Sequence, residues 1–306
     1  MKILLVMNKT LSNGEKEWID GGHWNVYLPL KNMGHNVHFY DTVRGEEKSF
    51  SDVVDGFKPE LIFCCMTGDP RIAPNEPWEE LLEETKKGNC KTFNWFCDDT
   101  WRFYNFSSKV CNYFNVCSTP EKAYLEKFKK IGYDNIILGF WHLNSDFLPK
   151  GNIEKKHDIT FCGNLNEDRK YFIDHLSKNG IDVQRFHGLK HKKMLETLAE
   201  SRIGINFSKN FTLHKPMLQM KLRPVEVTAA RSLLLTEYAP GIEEYFKIDE
   251  EIITFKSEKE MLSKTKFLLK NQNLIEKLAN NGYERFCKEH ESKIRLENII
   301  RQIMEI

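Results

Sequence analysis

At 306 residues the chain has room for one large or two medium domains, each able to bury its own core. Apolar residues make up 41% and charged residues 29%, with 45 Lys and Arg against 44 Asp and Glu, which excludes a disordered composition and a chain-wide polyanion-binding surface. No run of eighteen apolar residues occurs, and the amino terminus MKILLVMNK reads as a strand rather than a leader. The eight cysteines show neither a CxxC pair nor a Cys/His spacing suited to zinc, and a reducing, cytoplasmic location fits.

The first apolar run, 2–7, has the continuous character of a parallel strand buried on both faces. A polar loop at 8–20 and the pair Gly21-Gly22 follow. A helix over 23–31 is carried by Trp24, Tyr27, Leu28 and Leu30 at helical spacing. Strands are predicted at 36–40, 60–66 and 90–97, the last ending at Asp98-Asp99, with a helix at 78–87. A strand at 115–118, a helix at 120–131 opened by Pro120, and a strand at 135–139 complete a first α/β half, 1–148. The stretch 148–152 is polar and turn-rich and reads as a boundary.

The alternation then begins again, as a second domain over 156–290. A strand runs into a loop over 158–164, and a helix over 169–179 stops at Gly180. Strand 183–186, helix 192–201, strand 203–207, helix 221–230 and strand 232–236 follow, then a short helix at 241–246 and a strand at 252–255. Helices at 259–270, 273–290 and 293–304 close the chain. The expected fold is α/β, two Rossmann-like domains facing a cleft.

Ligands of open parallel sheets sit beyond the carboxyl ends of the strands, so the residues to weigh are those just after each strand. GxGxxG, GxxxxGK[ST], HExxH and GxSxG are all absent, which argues against a dehydrogenase, an NTPase, a zincin protease and an α/β hydrolase. Gly21 and Gly22 either present backbone N–H groups to an oxygen or anion, or shape a tight turn. His23 is a candidate base or acceptor contact, or a packed histidine. Asp98 and Asp99 end an apolar strand; one reading makes one of them a general base, the other makes them a cap for the segment 101–106. In Lys221-Leu222-Arg223-Pro224-Val225-Glu226 the two cations can offset a diphosphate and the carboxylate can accept from two ribose hydroxyls; a solvated helix face with an i,i+3 ion pair is the alternative.

The segment 221–255, KLRPVEVTAARSLLLTEYAPGIEEYFKIDEEIITF, with Asn280-Asn281-Gly282-Tyr283-Glu284-Arg285 and Glu289-His290, resembles the carboxyl-terminal half of GT-B-fold glycosyltransferases, and most of all the CgeB-like, spore-maturation branch of the family-1 type. The resemblance implies a nucleotide-sugar donor on the second domain. Glu226 falls at its ribose position, and Tyr238 to Gly241 match the loop near the donor sugar and phosphates. Gly163-Asn164 with Arg169 resembles the first loop of that domain, and Asn206 ends its third strand. Gly21-Gly22 with Gly34-His35-Asn36-Val37 resembles the opening of the acceptor-side domain, and 291–306 is where such chains cross back to it. Arg231 departs from the pattern, standing where a glycine commonly ends the small-residue run, and the paired-glutamate motif is not intact.

The implied activity is metal-independent transfer of a hexose or pentose to a hydroxyl, with no cofactor beyond the nucleotide sugar. The acceptor is left open among a polysaccharide, a protein, a small molecule and a modified DNA base. Lys190 to Lys193 with His187 and His191 read as a solvated loop or as phosphate contacts. A nucleotide-sugar epimerase and a non-catalytic nucleotide-sugar-binding protein remain as alternatives.

Overall fold

The computed structural model describes residues 1–12, 16–212 and 215–306, so positions 13–15 of the loop read at 8–20 lie outside the described residues. The chain forms two compact units, Met1–Phe140 with Ser292–Ile306, and Trp141–Glu291. The division thus falls at 140/141 rather than at 148. The segment after Phe140 is bonded into the second unit: Leu143 bridges to Glu291, Ser145 Oγ donates to Glu291 Oε1 at 3.1 Å, and Trp141 Nε1 donates to the Met220 carbonyl at 3.2 Å.

The first unit holds a six-stranded, all-parallel sheet, ordered Asn36–Asp41, Lys2–Met7, Leu61–Cys65, Lys91–Trp95, Val116–Thr119, Ile136–Leu138. Lys2–Met7 lies between two partners and is buried at every residue from Ile3 onward, which is why the sequence reads as a continuous apolar run. The helix Phe50–Phe57, not picked out from the sequence, packs Phe50, Val53 and Val54 into the core and is capped by Ser49, whose hydroxyl accepts from Asp52 N–H. The terminal helix Ser292–Glu305 belongs to this unit and buries Leu296, Ile299, Ile300 and Ile303.

The second unit repeats the plan with five parallel strands, ordered Gln184–Phe186, His157–Cys162, Ser201–Asn206, Leu233–Glu237, Ile253–Phe255. Ile159, Phe161, Ile203, Ile205, Leu233 and Leu235 point to one core, filled from outside by Phe172, Ile173 and Leu176 of the helix Glu167–Lys178. Gly204 lets the helix Arg223–Ala229 approach the sheet, since a Cβ there would lie 2.7 Å from Val227.

Both sheets reverse the order of their strands between the first and third strand in chain order. That switch point opens a crevice at the carboxyl ends, beyond Met7 and Cys65 in one unit and beyond Cys162 and Asn206 in the other. Two short antiparallel hairpins, Thr10–Ser12 with Glu17–Ile19 and Lys209–Asn210 with Met217–Leu218, leave those same ends and were not anticipated. Among the described residues no helix is long and apolar enough to cross a membrane.

Candidate functional site

At the first switch point, Gly22 N–H donates to Asp20 Oδ1 at 2.7 Å. The carboxylate of Asp20 therefore occupies the amino end of the helical segment that begins at Gly21-Gly22. Burial pushes Asp20 above the usual carboxylate range, against the hydrogen bonds from Gly22, Asn8 and Gly21 that hold it down. Gly22 has a packing reason as well: a Cβ would lie 1.9 Å from Met7 Cε, while nothing lies within 4 Å of one at Gly21. This favours the turn reading of the glycine pair over an acceptor contact. His23 is half-buried among Trp24, Tyr27 and Phe39, with ring centroids 5.0, 5.1 and 6.0 Å away. Burial, then Lys9, keeps its imidazole below the usual value, and Nδ1 has no hydrogen-bond partner among the described residues.

The two adjacent aspartates separate into different environments. Asp98 is half-buried and precedes the helix Asp99–Arg102, its carbonyl accepting from Trp101 and Arg102 N–H at 3.2 and 3.0 Å. Asp99 is 0% exposed, which removes it from direct contact with any acceptor. Its carboxylate faces the Ser107 and Thr119 hydroxyls, but neither oxygen makes a hydrogen bond of ordinary geometry among the described residues. Burial, the leading cause, pushes it up to about 6.

At the second switch point the strand His157–Cys162 ends at Gly163, whose φ of +155° is one that L side chains rarely adopt. The loop returns into the helix Glu167–Lys178, capped by Asn166, whose Oδ1 accepts from Arg169 N–H at 2.9 Å. Arg169 Nη1 donates to the Asn164 carbonyl at 2.7 Å, while its buried Nε has no partner among the described residues. Burial lowers this guanidinium, partly offset by Glu237 and Asp168.

Across the crevice, Arg223 Nη1 lies 2.8 Å from Glu226 Oε2, so the i,i+3 pair foreseen as a surface feature is real but buried, with Glu226 only 6% exposed. His191, at the start of the helix His191–Ala199, brings Nδ1 to 3.8 Å from the other oxygen, Oε1. Its ring is held below the usual value by burial first, with Glu226 opposing, and Nε2 is buried without a partner among the described residues.

Lys221 is placed otherwise than expected. Its ammonium donates to the Phe207 and Lys209 carbonyls, both at 2.9 Å, and so props the chain after the third strand rather than facing a diphosphate. Asn206 likewise straps two strands, its Nδ2 donating to Thr236 Oγ1 at 2.9 Å. Tyr238 and Gly241 follow the strand Leu233–Glu237, with Gly241 at φ +91° starting a short turn. Tyr238 is raised by its hydrogen bond to Glu243, and its ring lies 4.4 Å from Lys256 Nζ.

The sequence reading missed Glu237. It is 3% exposed, accepts from Ser208 and Lys209 N–H at 3.0 Å each, and lies 3.3 Å from Lys209 Nζ, which also reaches Asp168 at 3.0 Å. Its signal was available, because Leu-Leu-Leu-Thr-Glu ends an apolar strand in a carboxylate just as the strand before Asp98 does. The second switch point thus gathers Arg169, Arg223, His191, Glu226 and Glu237, which can hold an anion beside a hydrogen-bond acceptor. Among the described residues no group of three or more His, Cys, Asp or Glu is arranged to hold a metal ion.

Residues 153–301 match the family model described as "Glycosyl transferase-like". A relative, "Uncharacterized protein L137" of Acanthamoeba polyphaga mimivirus, is 21% identical over 163 residues, 51% of this chain but only 20% of that protein. Among solved structures, sucrose-phosphate synthase from Thermosynechococcus elongatus superposes with a TM-score of 0.65 at 9% identity, covering 99% of each chain. An α-glucosyltransferase in complex with UDP-glucose and DNA containing an abasic site gives 0.63 at 12% identity, again over 99% of each. At such identities the likeness is one of fold: two parallel-sheet, Rossmann-like domains of the GT-B type, the second of which carries the glycosyl transferase-like match.

Proposed function

We propose that the chain transfers a sugar from a nucleoside-diphosphate-sugar donor, held by the second unit, to a hydroxyl acceptor. The observation that carries this is the pairing of Arg223 with a buried Glu226 at the switch point of the second sheet, with Arg169 on the facing loop. Glu226 pairs with Arg223 through Oε2, and Oε1, 3.8 Å from His191 Nδ1, is suited to accept from ribose hydroxyls, while the arginines suit the diphosphate. Gly163 allows the backbone to approach the phosphates closely. A uridine diphosphate sugar is the donor to test first, because the α-glucosyltransferase that shares the fold is described with UDP-glucose.

The transferred sugar is a hexose or pentose, and two arginines take the charge-neutralising part that a metal plays elsewhere. Asp98, half-buried where Asp99 is fully buried, is the carboxylate we assign as the base on the acceptor, and its conversion to Asn is expected to lower turnover while sparing donor affinity. Eight thiols, none in a disulfide, suit a cytoplasmic setting. The CgeB-like branch is the lineage we assign, on the 221–255 segment.

The test is calorimetry of the full chain against UDP and a panel of nucleotide sugars. Glu226→Ala is expected to weaken donor binding by about 1–3 kcal/mol, about 5- to 150-fold, the range for removing a charge-assisted hydrogen-bonding group. Unchanged affinity in the folded variant sinks the ribose role. Epimerisation of the donor sugar without any acceptor would replace transfer by the epimerase reading.

A further inference from the structure

The amino-terminal edge of the second sheet, remote in the chain's topology from the strand ends just described, carries another concentration of positive charge. Lys155, Arg202 and Arg231 stand at the starts of three neighbouring strands, His157–Cys162, Ser201–Asn206 and Leu233–Glu237. Arg202 is neutralised in part by Asp158 at 3.2 Å. Lys155 is half-buried, and its ammonium donates to the carbonyls of Ala199, Ser201 and Arg231 at 2.9, 2.9 and 2.8 Å. Burial first, then the two arginines, push it down to about 8. Tying together these three backbone carbonyls accounts for Lys155.

It does not account for Arg231. This residue follows the helix Arg223–Ala229 in the left-handed region, at φ +55°, where glycine is the default and a side chain is sterically penalised. Its exposed guanidinium lies over the Tyr283 ring, 4.0 Å from the centroid, and has no carboxylate or carbonyl partner among the described residues. A guanidinium resting over the ring in this way leaves N–H groups able to meet two oxygens at once. The side chain borders a cavity of about 310 Å³ whose wall includes Lys150, Lys155 and Asn152 and no acidic residue. A second cavity, about 350 Å³, also borders Arg231 and Lys155 and adds Arg202 together with the acidic Glu276. Volumes of this order suit a small ligand rather than a polymer.

We propose that the cavity beside Arg231 binds the phosphate group of a small phosphate monoester, gripped by Arg231 and Lys150 in the positive field of Lys155. The site is separate from the donor site and does not depend on the reading given to it.

The test is titration calorimetry of the full chain with a hexose monophosphate and with inorganic phosphate, in wild type, Arg231→Gly and Arg223→Ala. Glycine suits the backbone at 231, so Arg231→Gly keeps the fold, and its melting temperature without ligand is expected to equal or exceed that of wild type. Phosphate binding is expected to persist in Arg223→Ala, which removes a cation of the donor site, and to weaken about tenfold or more in Arg231→Gly. Tighter binding of the hexose ester than of inorganic phosphate assigns the cavity to the ester; equal binding assigns the same cations to free phosphate. Binding that survives Arg231→Gly, binding lost only in Arg223→Ala, or none in wild type at millimolar ligand overturns the proposal.

Discussion

Replacing Asp99 by Asn should stabilise the protein at neutral pH and leave it almost unchanged in mild acid. The carboxyl titrates at about 6 in the folded chain against an ordinary value of 3.8, because it is fully buried and the Ser107 and Thr119 hydroxyls do not form well-aligned hydrogen bonds to it. The folded state therefore binds this proton more tightly than the unfolded state. The stability it confers is fully present below pH 3.8, falls between the two values and is lost above about 6. The difference of roughly two pH units corresponds to about 3 kcal/mol. Asparagine has no charge to bury, so the gain of Asp99→Asn over wild type is expected to rise from near zero at about pH 4 to about 3 kcal/mol at about pH 7.5. Chemical denaturation of both proteins at four pH values between those limits measures it. A gain that is the same at both ends of the range would refute the assignment of a raised, uncompensated carboxyl.

Other consequences are equally direct. Arg223→Ala separates two roles: if the guanidinium holds Glu226 in place it should weaken the binding of uridine, which has no phosphate, by about 1–2 kcal/mol, whereas a pure phosphate ligand would leave uridine unaffected and weaken only UDP. Gly22→Ala drives a methyl into Met7 Cε, the end of a side chain only 1% exposed, and should cost about 1–3 kcal/mol in denaturation. Trimming Met7 to Ala in the same chain should return part of that loss, and no return would mean that the strain is in the backbone.

Much of the fold was legible because parallel strands buried on both faces declare themselves as unbroken apolar runs, and 2–7, 60–66 and 232–236 each became one to within a residue or two. What escaped was short or disguised. The hairpins have strands of two or three residues, too few for a period to show. The helix Phe50–Phe57 has the spacing Phe50, Val53, Val54, Phe57, but the Ser, Asp and Gly residues between them are loop formers that mask the period. In the site, sequence indicated which charges lay near strand ends and not where they point. Lys221 and Arg223 are two residues apart, yet one ammonium serves backbone carbonyls and the other cation faces Glu226. Asp98 and Asp99 are adjacent, and only burial distinguishes a group that can meet a substrate from one that cannot.

The two switch points share a topology and differ in the sign of the charge that burial leaves unbalanced. In the first unit the amino end of the helical segment is already taken by Asp20, and both Asp20 and Asp99 are pushed upward by burial. A second carboxylate-like or phosphate-like group brought there would meet like charge with its natural N–H donors in use. In the second unit Arg169 and His191 are pushed downward, each with a buried ring or guanidinium nitrogen that makes no hydrogen bond among the described residues. An anion relieves that desolvation, and each pairing it forms is worth more for being out of water. Identical strand order gives no preference between the two crevices. The buried charges do: they are the ground on which we propose the diphosphate for the second sheet and a neutral, hydroxyl-bearing acceptor for the first.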